Sequence, residues 1–200
     1  ASDADRRALR ARFRERCDRL VDAALATHDP DAPVREPLVV DPPDHFPTAF
    51  PDSVAEQCER RWGGVATALV VDRRADRPRA LAVERGFAPG WELPGGDHDP
   101  GETLAETARR ETREETNVEV DLTGVLYARE LHLDYDPERV PIPVVVFTAE
   151  RVEGRRAVPN HQVPSGEPEI VDARWFGPGE LPEDLRDREL VREHLLDAAE

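Results

Sequence analysis

Apolar residues recur with helical spacing at Leu9, Phe13, Cys17, Leu20 and Ala24, which predicts an amphipathic helix over Asp5–Thr27. Seven prolines then fall between Asp29 and Pro51, too many for a continuous helix. Pro37 to Val40 reads as a short extended piece inside that linker, and Asp52-Ser53 can cap a second short helix running to Arg61. The pattern next shifts to strands, at Gly64–Asp72 (GVATALVVD) and Arg79–Glu84 (RALAVE), around an Asp/Arg turn. Gly86–His98 is a glycine-rich loop and Pro100–Thr116 a helix. Leu122–Leu133, Pro143–Val152 and Ile170–Phe176 are further strands, and Glu183–Ala199 is a closing helix. The order β-β-α-β-β-β-α predicts an α+β fold with a mixed sheet, or a sandwich.

Composition narrows the chemistry. The 200 residues hold 43 Asp+Glu and no lysine, so all 27 basic residues are arginine and the net charge is −16. Without lysine there is no Schiff-base or pyridoxal-phosphate chemistry. There is also no P-loop and no protein-kinase site, both of which set a lysine on the phosphates. So negative a field repels a nucleic-acid backbone, and an anionic substrate would need a divalent cation to approach. The acid excess fits a halophilic, archaeal-type proteome, because the Debye length falls to about 3 Å at 1 M salt and self-repulsion is screened. Cys17 and Cys58 form no C-x-x-C pair, which points to a reducing compartment. The longest apolar stretch, Val65–Val71, is too short to span a bilayer, and the first residues lack the apolar core of a signal peptide. The expectation is a cytoplasmic protein with no membrane and no nucleic-acid partner.

The stretch Trp91–Val118, WELPGGDHDPGETLAETARRETREETNV, concentrates the chemistry. Asp99 can cap the helix, with Pro100 in the first turn and Glu102 as the carboxylate that reaches back. On a helical wheel Ala105, Ala108, Thr112 and Thr116 share one small, weakly apolar side, and Glu111, Glu114 and Glu115 gather on an adjacent one. Three carboxylates at i, i+3 and i+4 repel one another. Such a face is held either by solvent and salt or by cations, and oxygen-only ligands favour Mg²⁺ or Mn²⁺.

The spacing G-x5-E-x7-R-E-x2-E-E runs through Gly96, Glu102, Arg110, Glu111, Glu114 and Glu115. At this composition the match arises by chance in roughly 2 or 3 of 10,000 such chains. The segment resembles the signature box of the Nudix hydrolase superfamily (MutT-like), and Glu92-Leu93-Pro94-Gly95-Gly96 resembles its lead-in loop. Two positions depart from the family pattern. Thr112 stands where an aliphatic residue is preferred, and Asn117 stands where a glycine ends the helix. The resemblance covers about Trp62–Leu185 and implies the Nudix fold, a mixed sheet sandwiched between helices. It divides the chain into an N-terminal helical and Pro-rich extension, 1–61, and a Nudix domain, 62–200. The extension packs on the body or serves as a dimerisation arm.

By the resemblance, Glu111, Glu114 and Glu115 bind the catalytic Mg²⁺ or Mn²⁺, with the Gly95 carbonyl as a further ligand. Arg110 pairs with a box glutamate and fixes its rotamer, or makes an ordinary i,i+4 pair with Glu106 or Glu114. Glu102 stands behind the ligands or acts only in capping. The implied reaction is attack of water on phosphorus in a nucleoside diphosphate linked to another moiety, a small nucleotide-type substrate. The general base comes from the box helix or a later loop, where Glu167 and Glu169 are the candidates, with His98, His132 and His161 behind them. Arg85, Trp91 and Tyr135 are candidate substrate contacts, and Tyr127 and Phe147 could also border a base or sugar. Tyr135 lies 17 residues beyond Val118, near the spacing of a tyrosine in the family's dinucleoside-polyphosphate hydrolases. The tags of the family's NADH and coenzyme A hydrolases are missing. A Nudix-fold binding or regulatory module without catalysis is the alternative. An isopentenyl-diphosphate-type isomerase would want a cysteine inside the matched body, and both cysteines lie outside it.

Overall fold

The elements along the chain are α1 (Asp3–His28), β1 (Leu38–Val40), β2 (Val65–Asp72), β3 (Arg79–Arg85), β4 (Trp91–Glu92) and β5 (Gly95–Asp97). There follow α2 (Leu104–Thr116), β6 (Glu119–Asp134), β7 (Arg139–Glu153), β8 (Ile170–Phe176) and α3 (Arg188–Asp197). This computed structural model describes residues 3–42, 63–74, 76–86, 90–136, 138–154, 157 and 168–199. The expected helix at 52–61, Cys58, His161 and Glu167 lie outside the described residues. The chain forms a mixed α+β fold made of two units that interleave along the sequence, with β6 and β7 running through both.

The first unit draws on 1–66, 96–107 and 124–146. Here β1 runs parallel to β6, Leu38 opposite Leu131 and Val40 opposite Leu133, so the extended piece in the proline linker is a sheet strand. The α1 stripe works as its spacing predicts: Phe13, Cys17 and Ala24 are buried. Phe13 joins Leu133, Val140 and Ile142 in one cluster, with Leu9, Val40 and Tyr135 packed against it. Arg14 braces the helix at 2.8 Å from Glu130. Burial first, then Glu130 and Asp18, pushes the Cys17 thiol up to about 12, so it is an inert core residue.

The second unit draws on 67–95, 108–123 and 147–200. Its sheet runs β7, β2, β3, with β4 and β8 both antiparallel to β3. Leu69, Val70 and Val71 of β2 and Ala80 to Val83 of β3 are all buried, the near-continuous apolar run of strands covered on both faces. Ala68, Val70, Leu81, Val118, Val120 and Ala149 form one core cluster, and Val83, Ile170 and Ala173 another.

Three expectations are corrected. The box helix starts at Leu104, not Pro100, because its capping box is Thr103 with Glu106. The Thr103 N–H donates to Glu106 Oε2 at 2.7 Å and the Glu106 N–H to Thr103 Oγ1 at 3.2 Å. Neither Asp99 nor Glu102 caps it; Glu102 instead accepts a hydrogen bond from the Thr107 hydroxyl at 2.9 Å. The last helix starts at Arg188 rather than Glu183, after Asp187 in the left-handed region at φ 56°. The Gly86–His98 loop contains the short strands β4 and β5.

Asn117 does end the box helix in the left-handed region, at φ 57°. Thr112 carries a cost: its side chain is fully buried and its hydroxyl has no hydrogen-bond partner. Thr112→Val keeps the shape and removes the unsatisfied group, so it should raise stability by about 1 kcal/mol in a denaturant titration.

Candidate active site

The box helix delivers its three carboxylates to different environments. Glu115 lies deepest at 3% side-chain exposure, Glu111 is half-buried, and Glu114 is exposed at 43%. The 3.6-residue period explains this order, because Glu115 sits next to the buried line of Ala108, Thr112 and Thr116 while Glu114 lies on its far side. Arg110 holds the outer pair, with Nη1 2.5 Å from Glu111 Oε1 and 3.3 Å from Glu114 Oε2. It therefore makes the i,i+4 pair and an adjacent pair at once.

Glu115 is tied to the lead-in loop and to β3. The Gly95 N–H donates to its Oε2 at 2.9 Å. Gly95 sits at φ 153°, a conformation that favours glycine. The Ala68 N–H, on β2, anchors the loop through the Pro94 carbonyl at 2.9 Å. Arg85, at the end of β3, places Nη1 2.9 Å from Glu115 Oε1. That contact is an ion pair without hydrogen-bond geometry, so Oε1 remains a buried acceptor with no hydrogen bond. Arg85 Nη2 donates to the Gly95 carbonyl at 2.5 Å, and Nε donates to Glu92 Oε2 at 3.3 Å. Glu169, just before β8, lies with Oε1 4.0 Å from Arg85 Nη1. Its backbone is held where the Gly86 N–H donates to the Glu169 carbonyl at 3.1 Å. A Cβ at Gly86 would strike the Pro168 carbonyl, so glycine is needed for this approach.

Burial dominates the electrostatics. It pushes the Glu115 carboxyl up to about 7, despite Arg85 and the Gly95 N–H, with Glu111 and Glu169 adding to the rise. Glu111 is raised as well, by burial first and against Arg110. Arg85 would be lowered by burial, but Glu115 and Glu92 outweigh that and raise it. The site thus holds more negative charge than it can solvate, which suits a cation. The donor set, Glu111, Glu115 and the Gly95 carbonyl, is oxygen only, and Glu115 Oε1, ion-paired with Arg85, accepts no hydrogen bond. These residues fit a hard divalent ion. Among the described residues no three His, Cys, Asp or Glu side chains already converge on one point.

The other candidates are placed as follows. Trp91 is half-buried, edge-to-face with Phe176 at a centroid distance of 5.0 Å, and the Arg174 guanidinium lies 5.6 Å from its ring centre. Tyr135 belongs to the first unit's apolar cluster, and Tyr127 lies beneath the guanidinium of Arg35 at 4.3 Å. Phe147 is core. His98 Nε2 is 2.7 Å from the Glu102 carbonyl, and His132 pairs with Glu130. Sequence reasoning missed Glu92. Its second oxygen accepts from Arg186 at 3.0 Å, and the only signal was its place in the lead-in loop.

The chain is similar to known proteins over most of its length. Residues 63–195 match the NUDIX domain model. An RNA pyrophosphohydrolase of Erythrobacter litoralis is 30% identical over 148 residues, covering 64% of this chain and 84% of that protein. The asymmetrical bis(5'-nucleosyl)-tetraphosphatase of Mus musculus is 40% identical over 60 residues, 30% of this chain and 41% of that protein. A NUDIX-family hydrolase structure from Clostridium perfringens superposes with a TM-score of 0.51 at 16% identity, over 70% of this chain and 99% of that one, and shares the fold. The chain belongs to the Nudix family of hydrolases, which act on diphosphate bonds.

Proposed function

We propose that this hydrolase is metal-dependent and cleaves the diphosphate linkage of a nucleoside diphosphate joined to another moiety. The observation that carries the reading is the buried Glu115 carboxylate, one oxygen of which accepts no hydrogen bond, set beside Glu111 and the Gly95 carbonyl. Glu111, Glu114, Glu115 and the Gly95 carbonyl would hold Mg²⁺ or Mn²⁺, and Arg110 orients Glu111 and Glu114. When bound, the ion supplies charge to phosphate oxygens and acidifies a water. Glu169 accepts the proton of the attacking water, with Glu167, two positions earlier in the sequence, as the other candidate. Water oxygen bonds to phosphorus, the bridging P–O bond breaks, and its electron pair leaves with the departing phosphate. Arg85 and Trp91 contact the nucleotide from β3 and β4.

The same reading takes 62–200 as the catalytic domain and 1–61 as an extension that supports it or pairs two copies. It places the protein in the cytoplasm of a salt-adapted cell. The supports are the family match beginning at residue 63, the −16 charge, and the fact that no helix among the described residues is long and apolar enough to cross a membrane.

The test is a turnover panel in high KCl with Mg²⁺ or Mn²⁺. It covers 8-oxo-dGTP and ordinary nucleoside triphosphates, ADP-ribose, NADH, nucleotide sugars and diadenosine polyphosphates, with phosphate products identified. Metal-dependent turnover of one class is expected. Folded protein that turns over none of them would leave the non-catalytic binding module in its place.

A further inference from the structure

Arg85 stands at the centre of the carboxylates rather than at their rim. Its side chain is 12% exposed, and it meets Glu115, Glu92, Glu169 and the Gly95 carbonyl at once. We propose that the Arg85 guanidinium is the resident counter-ion of the metal site. It occupies Glu115 and the Gly95 carbonyl, so an entering ion displaces it and metal binding is an exchange of cations. This rests on the ligand set proposed above.

Three observations carry it. First, the same guanidinium contacts both oxygens that the ion would need, 2.9 Å to Glu115 Oε1 and 2.5 Å to the Gly95 carbonyl. An ion on the same two oxygens would stand close beside the guanidinium, and like charges in so buried a site repel strongly. Second, every box carboxylate is already engaged by arginine: Glu115 by Arg85, and Glu111 and Glu114 by Arg110. Third, Arg85 has a place to remain. Glu92 holds its Nε and is itself anchored by Arg186, with Glu169 alongside. The guanidinium can release Glu115 and keep a carboxylate, which a buried arginine requires.

The arginine therefore keeps the buried glutamates from standing without a cation, and in doing so it competes with the metal. The experiment uses the full chain, stripped of metal and without nucleotide, with Mn²⁺ uptake read by electron paramagnetic resonance. Arg85→Gln should bind Mn²⁺ at least tenfold more tightly than wild type. Its metal-free melting temperature should be lower, and Mn²⁺ should raise it by more than in wild type. Arg79→Gln removes the same charge from the exposed start of β3 and should change affinity less than twofold. Unchanged or weaker Mn²⁺ binding in Arg85→Gln overturns the inference.

The two readings fail differently. If wild-type Mn²⁺ uptake is untouched by Glu115→Gln, the ligand set falls and the exchange falls with it. If Glu115→Gln abolishes uptake but Arg85→Gln is no tighter than wild type, only the exchange falls. Should Arg85→Gln not fold, the wild-type protein still decides. The Arg85 Nε–H resonance, assigned by its loss in Arg85→Lys, should move on Mg²⁺ titration. A resonance unmoved at saturating Mg²⁺ overturns the proposal.

Discussion

Glu115→Gln should lower Mg²⁺-dependent turnover by about a thousandfold or more, which corresponds to roughly 4 kcal/mol of transition-state stabilisation. The change is nearly isosteric. The amide oxygen can still accept the Gly95 N–H now bonded to Oε2 at 2.9 Å, so the loop keeps its anchor. What disappears is the negative charge facing Arg85 and the proposed ion. Arg85 retains Glu92 and the Gly95 carbonyl, so it is not stranded. Glu114→Gln provides the comparison, because Glu114 is exposed at 43% and its charge is better screened. A loss of about tenfold is expected there. Turnover is measured at saturating Mg²⁺ on the substrate found in the panel, with circular dichroism and thermal melting confirming the fold. A Glu115→Gln enzyme within tenfold of wild type would end the assignment of Glu115 as a ligand.

The second large effect is on stability. Glu115 has a carboxyl raised by burial to about 7, against the ordinary 4.5 that it regains on unfolding. Between those values the folded metal-free protein binds more protons than the unfolded chain. The contribution of Glu115 to stability is therefore full below about pH 4.5 and is lost as pH rises through about 7, by roughly 3 kcal/mol in total. Glu111 is raised too and acts in the same direction. His194 opposes them, since burial lowers it and the folded protein then gains stability as pH rises through the histidine range. The readout is therefore the difference between wild type and Glu115→Gln in urea unfolding across pH 5–8, in EDTA. Wild type should lose stability relative to the variant as pH rises, and saturating Mg²⁺ should abolish that relative loss. Parallel curves for the two proteins would show that Glu115 does not titrate in this window.

Much of this arrangement was legible along the chain. The α1 stripe, the strands at 65–72 and 79–85, the box spacing and the role of Asn117 all depend on contacts a few residues apart, where helical and strand periods act directly. The helix start was misplaced for a related reason. Asp99-Pro100 is a strong N-terminal signal, yet Thr103 and Glu106 form the capping box. Two caps competed within one turn, and the sequence alone does not rank them. Glu102, read either as a group behind the ligands or as part of the cap, accepts from the Thr107 hydroxyl.

By itself, the sequence determined the family, the mixed α+β order, and the presence of Glu111, Glu114 and Glu115 on one helical face. Each of these follows from residue identity and a fixed period. Only the tertiary structure decided how unlike the three carboxylates are, because burial depends on what packs over each one. It alone brought Arg85, thirty positions before Glu115, and the unsuspected Glu92 into the same charge cluster. Electrostatic partners of a buried group are set by the end of a strand and the fold of a loop, and neither leaves a periodic trace in the chain.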